Sequence, residues 1–160
     1  EKLSSLVLDA GCSVILAVNK WDMQEKNQDF PREEAAEWIR GMMPHLDFAP
    51  ILFMSAKNKK GLDAIPDLVD EIMEQKQRPM PTHELTELIR NQVEIQNTKN
   101  SKFYYCSQVS RNPPTIVCQV NDPRGVHFSL KRHLVNAVRE VYGFMGSPVR
   151  LLLRKRSSKT

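Results

Sequence analysis

Nowhere do these 160 residues hold an apolar run near the ~20 residues that a bilayer-spanning helix needs, and no signal peptide opens them. Membrane proteins and secreted disulfide scaffolds are therefore not expected. Cysteine is scarce: Cys12, Cys106 and Cys118 stand far apart, with no C-x-x-C pair. That pattern argues against a disulfide framework or a zinc site. Cys12 lies just before an apparent strand and the other two inside apparent strands, which predicts buried free thiols in a reducing cytosol. His45, His83, His127 and His133 are scattered and form no ligand spacing. No G-x-x-x-x-G-K-[ST] string is found to cradle phosphates, and no D-x-x-G loop for the magnesium side is expected. Acidic residues become rare late in the chain. Residues 1–80 carry ten basic and fourteen acidic residues, whereas residues 81–160 carry thirteen and five. A basic half behind an acidic one implies that only the second meets a polyanion.

What is present begins with Asn19-Lys20-Trp21-Asp22, directly after the apolar run Ser13 to Val18. Each residue type suits the reading of a guanine base. Guanine offers a ring N–H and an exocyclic amine side by side, and one ionised carboxylate, Asp22, can accept from both. Adenine lacks that donor pair and would leave a desolvated carboxylate unpaired, at roughly 1–3 kcal/mol. Asn19 offers both an amide donor and an acceptor. The methylene stem of Lys20 can lie along the flat base while its ammonium stays wet. A second apolar run, Pro50 to Met54, ends in Ser55-Ala56-Lys57, a tripeptide that resembles the last guanine-contact loop of P-loop GTPases. Ligands of open parallel sheets collect outside the carboxyl ends of strands, and both loops follow such strands.

The elements around these loops alternate. Leu3, Leu6, Val7 and Ala10 recur at helical spacing, and the chain starts there without a Met, which reads as a helix of a longer protein. Pro31 suits a helix start, with Glu33 and Glu34 at its positive end and Ala35, Ala36, Ile39, Met42 and Met43 on its apolar face. Gly61 opens another helix with Leu62, Ile65, Leu68, Val69, Ile72 and Met73 inward. Trp21 and Trp38 read as packing residues. This is strand–helix–strand–helix, the closing half of a doubly wound α/β domain over residues 1–77. Pro79 and Pro81 make residues 78–81 a stiff linker. In residues 82–154, Thr82 caps a helix with Leu85, Leu88, Ile89 and Val93 inward. Phe103 to Val109 and Thr115 to Val120 form an antiparallel hairpin across Arg111-Asn112-Pro113-Pro114. Ser129 caps a helix lined by Leu130, Leu134, Ala137, Val138 and Val141, and Val149 to Leu153 is the last strand. The order is α-β-β-α-β, a small α+β domain, with residues 155–160 a basic tail.

The strings Val18-Asn19-Lys20-Trp21-Asp22, Ser55-Ala56-Lys57, Tyr105-x-x-Gln108, Pro113-Pro114-Thr115, Val120-Asn121-Asp122-Pro123, Leu134-x-Asn136-x-x-Arg139-Glu140 and Gly146-Ser147-Pro148-Val149-Arg150 together resemble the Der (EngA) family of bacterial GTPases, which carry two tandem G domains. The resemblance covers essentially the whole chain. It implies the second half of a P-loop-GTPase-type G domain followed by a KH-like domain. It also implies GTP or GDP as ligand, with Mg2+ held by residues outside this chain, and a role in assembly of the large ribosomal subunit. The partners implied are that subunit, its RNA, and the missing G-domain halves of the same protein. Carried over position by position, Asn19, Lys20 and Asp22 read the base, Ser55 shapes the last loop, Ala56 offers its N–H, and Lys57 flanks the base.

For RNA, KH domains use a G-x-x-G loop between two helices. Gly143-Phe144-Met145-Gly146 fits the letters, but its apolar centre is expected to bury rather than approach a phosphate. The basic residues Lys131, Arg132, Arg139, Arg150, Arg154, Lys155 and Arg156 are the better candidates, as one charged surface whose binding falls steeply with salt. Two alternatives stay open: a non-enzymatic RNA-binding or interaction module in which N-K-x-D is only a strand-end turn, and a KH-like unit whose charge faces another protein.

Overall fold

The computed structural model describes residues 2–24, 30–96 and 101–156. The chain divides into two units: Glu1–Glu74 with Met145–Pro148, and Gln75–Phe144 with Val149–Thr160.

In the first unit, helix α1 (Lys2–Ala10) ends at Gly11, whose φ of 72° a residue with a Cβ would adopt only under strain. Strand β1 (Leu16–Val18) leads through a 3-10 turn, Trp21–Met23, towards α2 (Arg32–Met42). Pro31 caps α2 rather than opening it, with Glu33 and Glu34 in the first turn where the helix dipole favours them. Strand β2 (Ile51–Phe53) pairs in parallel with β1 in the register Leu16–Ile51, Ala17–Leu52, Val18–Phe53. Helix α3 (Ala64–Lys76) follows, starting later than Gly61 because residues 55–60 close a small bridged loop. The segment Met145–Pro148 joins this unit through the backbone: Val14 N–H donates to Gly146 O at 2.7 Å and Gly146 N–H to Phe48 O at 2.8 Å.

A two-stranded sheet covers little surface, and the expected apolar faces are only partly buried. Ala35, Leu46, Ala49 and Ile72 are buried, but Leu3, Leu6, Trp38, Met42, Val69 and Met73 are exposed. The packing role expected for Trp38 is thus not observed; the ring is 62% exposed. Trp21, by contrast, is buried against Phe53, with ring centroids 4.4 Å apart.

The second unit holds a dense core. Helix α4 (Thr82–Ile95) starts at Thr82, the residue expected to cap it, and Pro81 takes the cap position. Strands β3 (Phe103–Arg111) and β4 (Pro114–Val120) are antiparallel, and β5 (Arg150–Lys155) lies parallel to β4 in the order β3-β4-β5. Helix α5 (Phe128–Tyr142) is capped by His127 rather than Ser129. Leu85, Ile89 and Val93 of α4 and Leu130, Leu134 and Val138 of α5 cluster with Cys106, Ile116, Cys118 and Val120, so both helices cover the same sheet face. Helical and alternating periodicities meet in one apolar layer, which is what specifies this arrangement.

Three expectations need correction. Cys106 and Cys118 are fully buried, as expected, but they are opposite one another in the β3–β4 register and joined as a disulfide. Directly paired positions face the same side of the sheet, which brings the two sulfurs together. Cys12 is free but exposed rather than buried. Residues 154–155, expected at the strand-to-tail boundary, belong to β5, with Arg154 opposite Gln119 and Lys155 opposite Val120. Residues 157–160 of the expected tail lie outside the described residues.

Candidate functional site

The two loops after β1 and β2 are tied together by their own backbones. Met54 N–H donates to Val18 O at 2.9 Å and Trp21 N–H to Met54 O at 3.0 Å. Lys20, between them, takes a left-handed conformation (φ 63°), which turns the chain sharply from strand into the 3-10 turn that carries Asp22. Asn19 Oδ1 accepts two backbone donors, Lys20 N–H at 2.8 Å and Ala56 N–H at 3.1 Å. With both lone pairs of that oxygen engaged, the amide orientation is fixed and Nδ2 is the group left to meet a ligand. The Ala56 N–H, expected to face a ligand carbonyl, is instead directed at Asn19.

Ser55 is buried, and its backbone pairs with Lys60 in both directions, at 3.0 and 3.1 Å. Its hydroxyl accepts Asn58 N–H at 3.3 Å and bonds the Asp22 carboxylate. The Asp22 carboxyl is held below its ordinary value, first by the Ser55 hydroxyl, against a raising effect of desolvation, and then by its own backbone N–H, the Lys57 ammonium and the Asn58 side chain. A cavity of about 160 Å³ lies against this cluster, lined by Trp21, Asp22, Arg32, Phe53, Met54, Ser55, Lys60 and Gly61. Its floor is aromatic: Trp21 packs on Phe53, and the Arg32 guanidinium lies 6.0 Å from the Phe53 ring centroid.

The structure therefore brings Asn19, Asp22, Ser55 and Ala56 into one cluster, with Lys20 and Lys57 exposed beside it. Sequence reading missed Asn58 and Gly61. Asn58 could have been found as an amide three residues after Ser55, the spacing at which side chains close such turns. Gly61, at φ 75°, brings its backbone so near Phe53 that an added Cβ would sit 2.9 Å from the Phe53 carbonyl oxygen. One string, Asp122-Pro123-Arg124-Gly125, spells D-x-x-G, but it forms a 3-10 turn in the second unit, where Asp122 Oδ1 accepts Arg124 N–H at 3.0 Å. Among the described residues no three His, Cys, Asp or Glu side chains are placed to hold a metal.

The basic residues do not form one surface. Arg150 and Arg154 sit opposite Thr115 and Gln119, on the sheet face away from the helices, whereas Leu151 and Leu153 between them pack against the core. Lys131 and Arg132 lie on α5, on the helix side. Arg139 donates to Phe144 O at 3.0 Å and so closes the end of its own helix. The Arg156 guanidinium stacks 4.6 Å from the Tyr104 ring centroid. Strand alternation separates residues that are close in sequence. The G-x-x-G string is spent internally as well. Phe144 is fully buried in the second unit, and Gly146 is hydrogen-bonded within the first.

Residues 79–154 match the model of the KH-domain-like region of EngA bacterial GTPase enzymes, C-terminal. Among curated proteins, the chain is 40% identical to the GTPase Der of Lactobacillus acidophilus over 92% of its own length and 35% of that protein's. It is 40% identical to GTPase Der of Geobacillus thermodenitrificans, over 98% of this chain and 37% of that one, and 35% identical to GTPase Der of Limosilactobacillus reuteri, over 92% and 35%. The chain thus spans little more than a third of the relatives it matches. The loop cluster, the α-β-β-α-β unit and these likenesses agree: the chain belongs to the Der/EngA family of GTPases and corresponds to a carboxy-terminal part of its members.

Proposed function

We propose that this chain supplies the base-reading side of a guanine-nucleotide site, together with an RNA-facing KH-like domain, in a GTPase that acts in assembly of the large ribosomal subunit. The observation that carries the reading is the Asp22 carboxylate, whose pKa is lowered first by the Ser55 hydroxyl, in one cluster with an Asn19 whose amide is oriented from the neighbouring loop. Asp22 accepts from the ring N–H and exocyclic amine of guanine, Asn19 donates through Nδ2, and the stems of Lys20 and Lys57 flank the base. The Ala56 N–H serves the base carbonyl only by sharing its bond with Asn19. Ser55 and Asn58 act through Asp22, holding the carboxylate edge-on.

The ligand is GTP or GDP, in keeping with relatives that bear the name GTPase. The phosphate- and magnesium-binding motifs of such sites are not in this sequence. The remaining G-domain parts would have to be supplied by the longer protein, and the 160-residue chain by itself does not hydrolyse GTP. The basic balance of residues 81–160 supports contact with ribosomal RNA, through Lys131 and Arg132 on one side and Arg150, Arg154 and Lys155 at the sheet. Such a role lies in the cytoplasm, and among the described residues no helix is long and apolar enough to cross a membrane.

The test is a change of base. Asp22→Asn converts a pure acceptor into a side chain that also donates, which matches xanthine rather than guanine. In the P-loop-bearing longer protein, this variant is expected to exchange GTP preference for XTP preference. An unchanged preference for GTP over XTP removes Asp22 from the role.

A further inference from the structure

The two named residues of the string Tyr105-x-x-Gln108 have different surroundings. Gln108 is held within the second unit: its Oε1 accepts the Met80 N–H at 3.0 Å, and its Nε2 donates to Arg78 O at 3.3 Å. Tyr105 faces the other side of the sheet. Its neighbour Cys106 is fully buried under the helices, whereas Tyr105 is 46% exposed. Strand register builds a surface around that ring. Tyr105 is paired with Gln119, and Gln119 with Arg154, so three strands contribute one exposed row on the side away from α4 and α5. Two strand spacings, about 10 Å, separate Tyr105 from Arg154. The next row is Ser107, Val117 and Leu152, the last also 46% exposed. Strand β3 is bulged between Phe103 and Tyr105, and Arg90 of α4 secures the bulge by donating to Phe103 O at 3.1 Å and to Tyr104 O. Tyr104 is already covered by the Arg156 guanidinium; Tyr105 stays open.

Charge points to the kind of partner. The three strands hold no aspartate or glutamate, whereas Arg111, Arg150, Arg154 and Lys155 all lie on them. The five acidic residues of 81–160 are Glu84, Glu87 and Glu94 on α4, Asp122 at the turn before α5, and Glu140 on α5. Carboxylates thus belong to the helix layer, and the sheet is purely cationic. An open aromatic ring, a side-chain amide and a guanidinium in one row match the face, edge and phosphate of a nucleotide. An acidic protein segment would satisfy the charge and leave the ring without a partner. A duplex would keep its base faces stacked away from it.

We propose that the face of the β3-β4-β5 sheet turned away from the helices binds single-stranded RNA. A base stacks on Tyr105, its edge meets Gln119, and the adjoining phosphate pairs with Arg154, while Val117 and Leu152 form the apolar floor under the next nucleotide. The proposal rests on the RNA-facing reading of the second unit and narrows it to one face and to unpaired strands.

The experiment measures fluorescence anisotropy of the 160-residue chain with a fluorescein-labelled ten-nucleotide single-stranded RNA of mixed sequence, with an RNA duplex of that sequence, and with a labelled poly-glutamate peptide. Tyr105→Ala should weaken single-strand binding about tenfold and leave duplex binding unchanged, while Tyr105→Phe, which keeps the ring, should bind as wild type does. Phe128→Ala, which removes a 74% exposed ring from α5, should have no effect. Arg154→Gln should weaken the single strand and lower its salt slope by about one. Unchanged single-strand binding in Tyr105→Ala or in Arg154→Gln overturns the sheet-face proposal while RNA binding itself stands. An equal loss in Phe128→Ala, or an equal loss of Tyr105→Ala on duplex, also overturns it. Poly-glutamate bound as tightly as the single strand does the same, since it marks a general anion surface. Absence of any RNA binding by the wild type sinks both the sheet face and the RNA-facing reading.

Discussion

At the scale of single residues, the account rests on how a carboxylate is held. Asp22 has its pKa lowered chiefly by the Ser55 hydroxyl, and the sign of the consequence follows. A depressed folded-state pKa contributes stability that is present above the unfolded value and lost as pH falls through the folded one. The expected midpoint for Asp22, followed by carboxyl carbon NMR, lies below 3.8, the value of an unperturbed aspartate. In Ser55→Ala it should move up towards that value, and a midpoint that stays put would show that the hydroxyl does not hold the carboxylate. The residue types at Asn19, Lys20, Asp22 and Ser55 were legible in the sequence because hydrogen-bonding valence alone restricts them. The acceptance of the Ala56 N–H by Asn19 was not legible, because it depends on the distance between two loops 37 positions apart.

At the scale of elements, loop closure and strand register decide what the site residues can do. Gly61 sits at φ 75° with Phe53 O 2.9 Å from any added Cβ, so Gly61→Ala should cost about 1–2 kcal/mol from backbone strain before any shift of Phe53. Chemical denaturation should read that loss, and an unchanged midpoint would contradict the conformation assigned to the loop. In the second unit, Leu134 is fully buried between α5 and the sheet, and Leu134→Ala should cost about 2–5 kcal/mol. Val141→Ala on the same helix, at a 60% exposed position, should cost far less. Helices α4 and α5 were legible from their spacing, since Leu85, Ile89, Leu130, Leu134 and Val138 recur every three or four residues and are buried. Register was not. A pleat with a period of two puts Arg150 and Arg154 on one face and Leu151 and Leu153 on the other, so residues grouped by charge in sequence are divided in space.

At the scale of the whole molecule, the two halves differ in how they bury apolar surface. The second unit owns the cluster that includes Leu85, Ile116, Leu134 and Phe144, whereas the first rests on two short parallel strands and leaves Leu3, Leu6, Trp38 and Met42 exposed. Periodicity shows which residues could be inside, but not whether enough sheet is present to cover them, which is why these four were misjudged. The charge division has its own consequence: RNA binding should belong to the basic half, with the logarithm of its affinity falling linearly with the logarithm of salt concentration. A salt-independent signal would point to contacts other than phosphate. The most direct measurement for the central claim uses the 160-residue chain with isotope-labelled amides, titrated in parallel with GMP and AMP. The account predicts shifts centred on Asn19 to Asp22 and Ser55 to Lys57 with GMP, little response to AMP, and a response transferred from GMP to XMP in Asp22→Asn. Equal responses to the two purines, or shifts that leave those loops untouched, would contradict it.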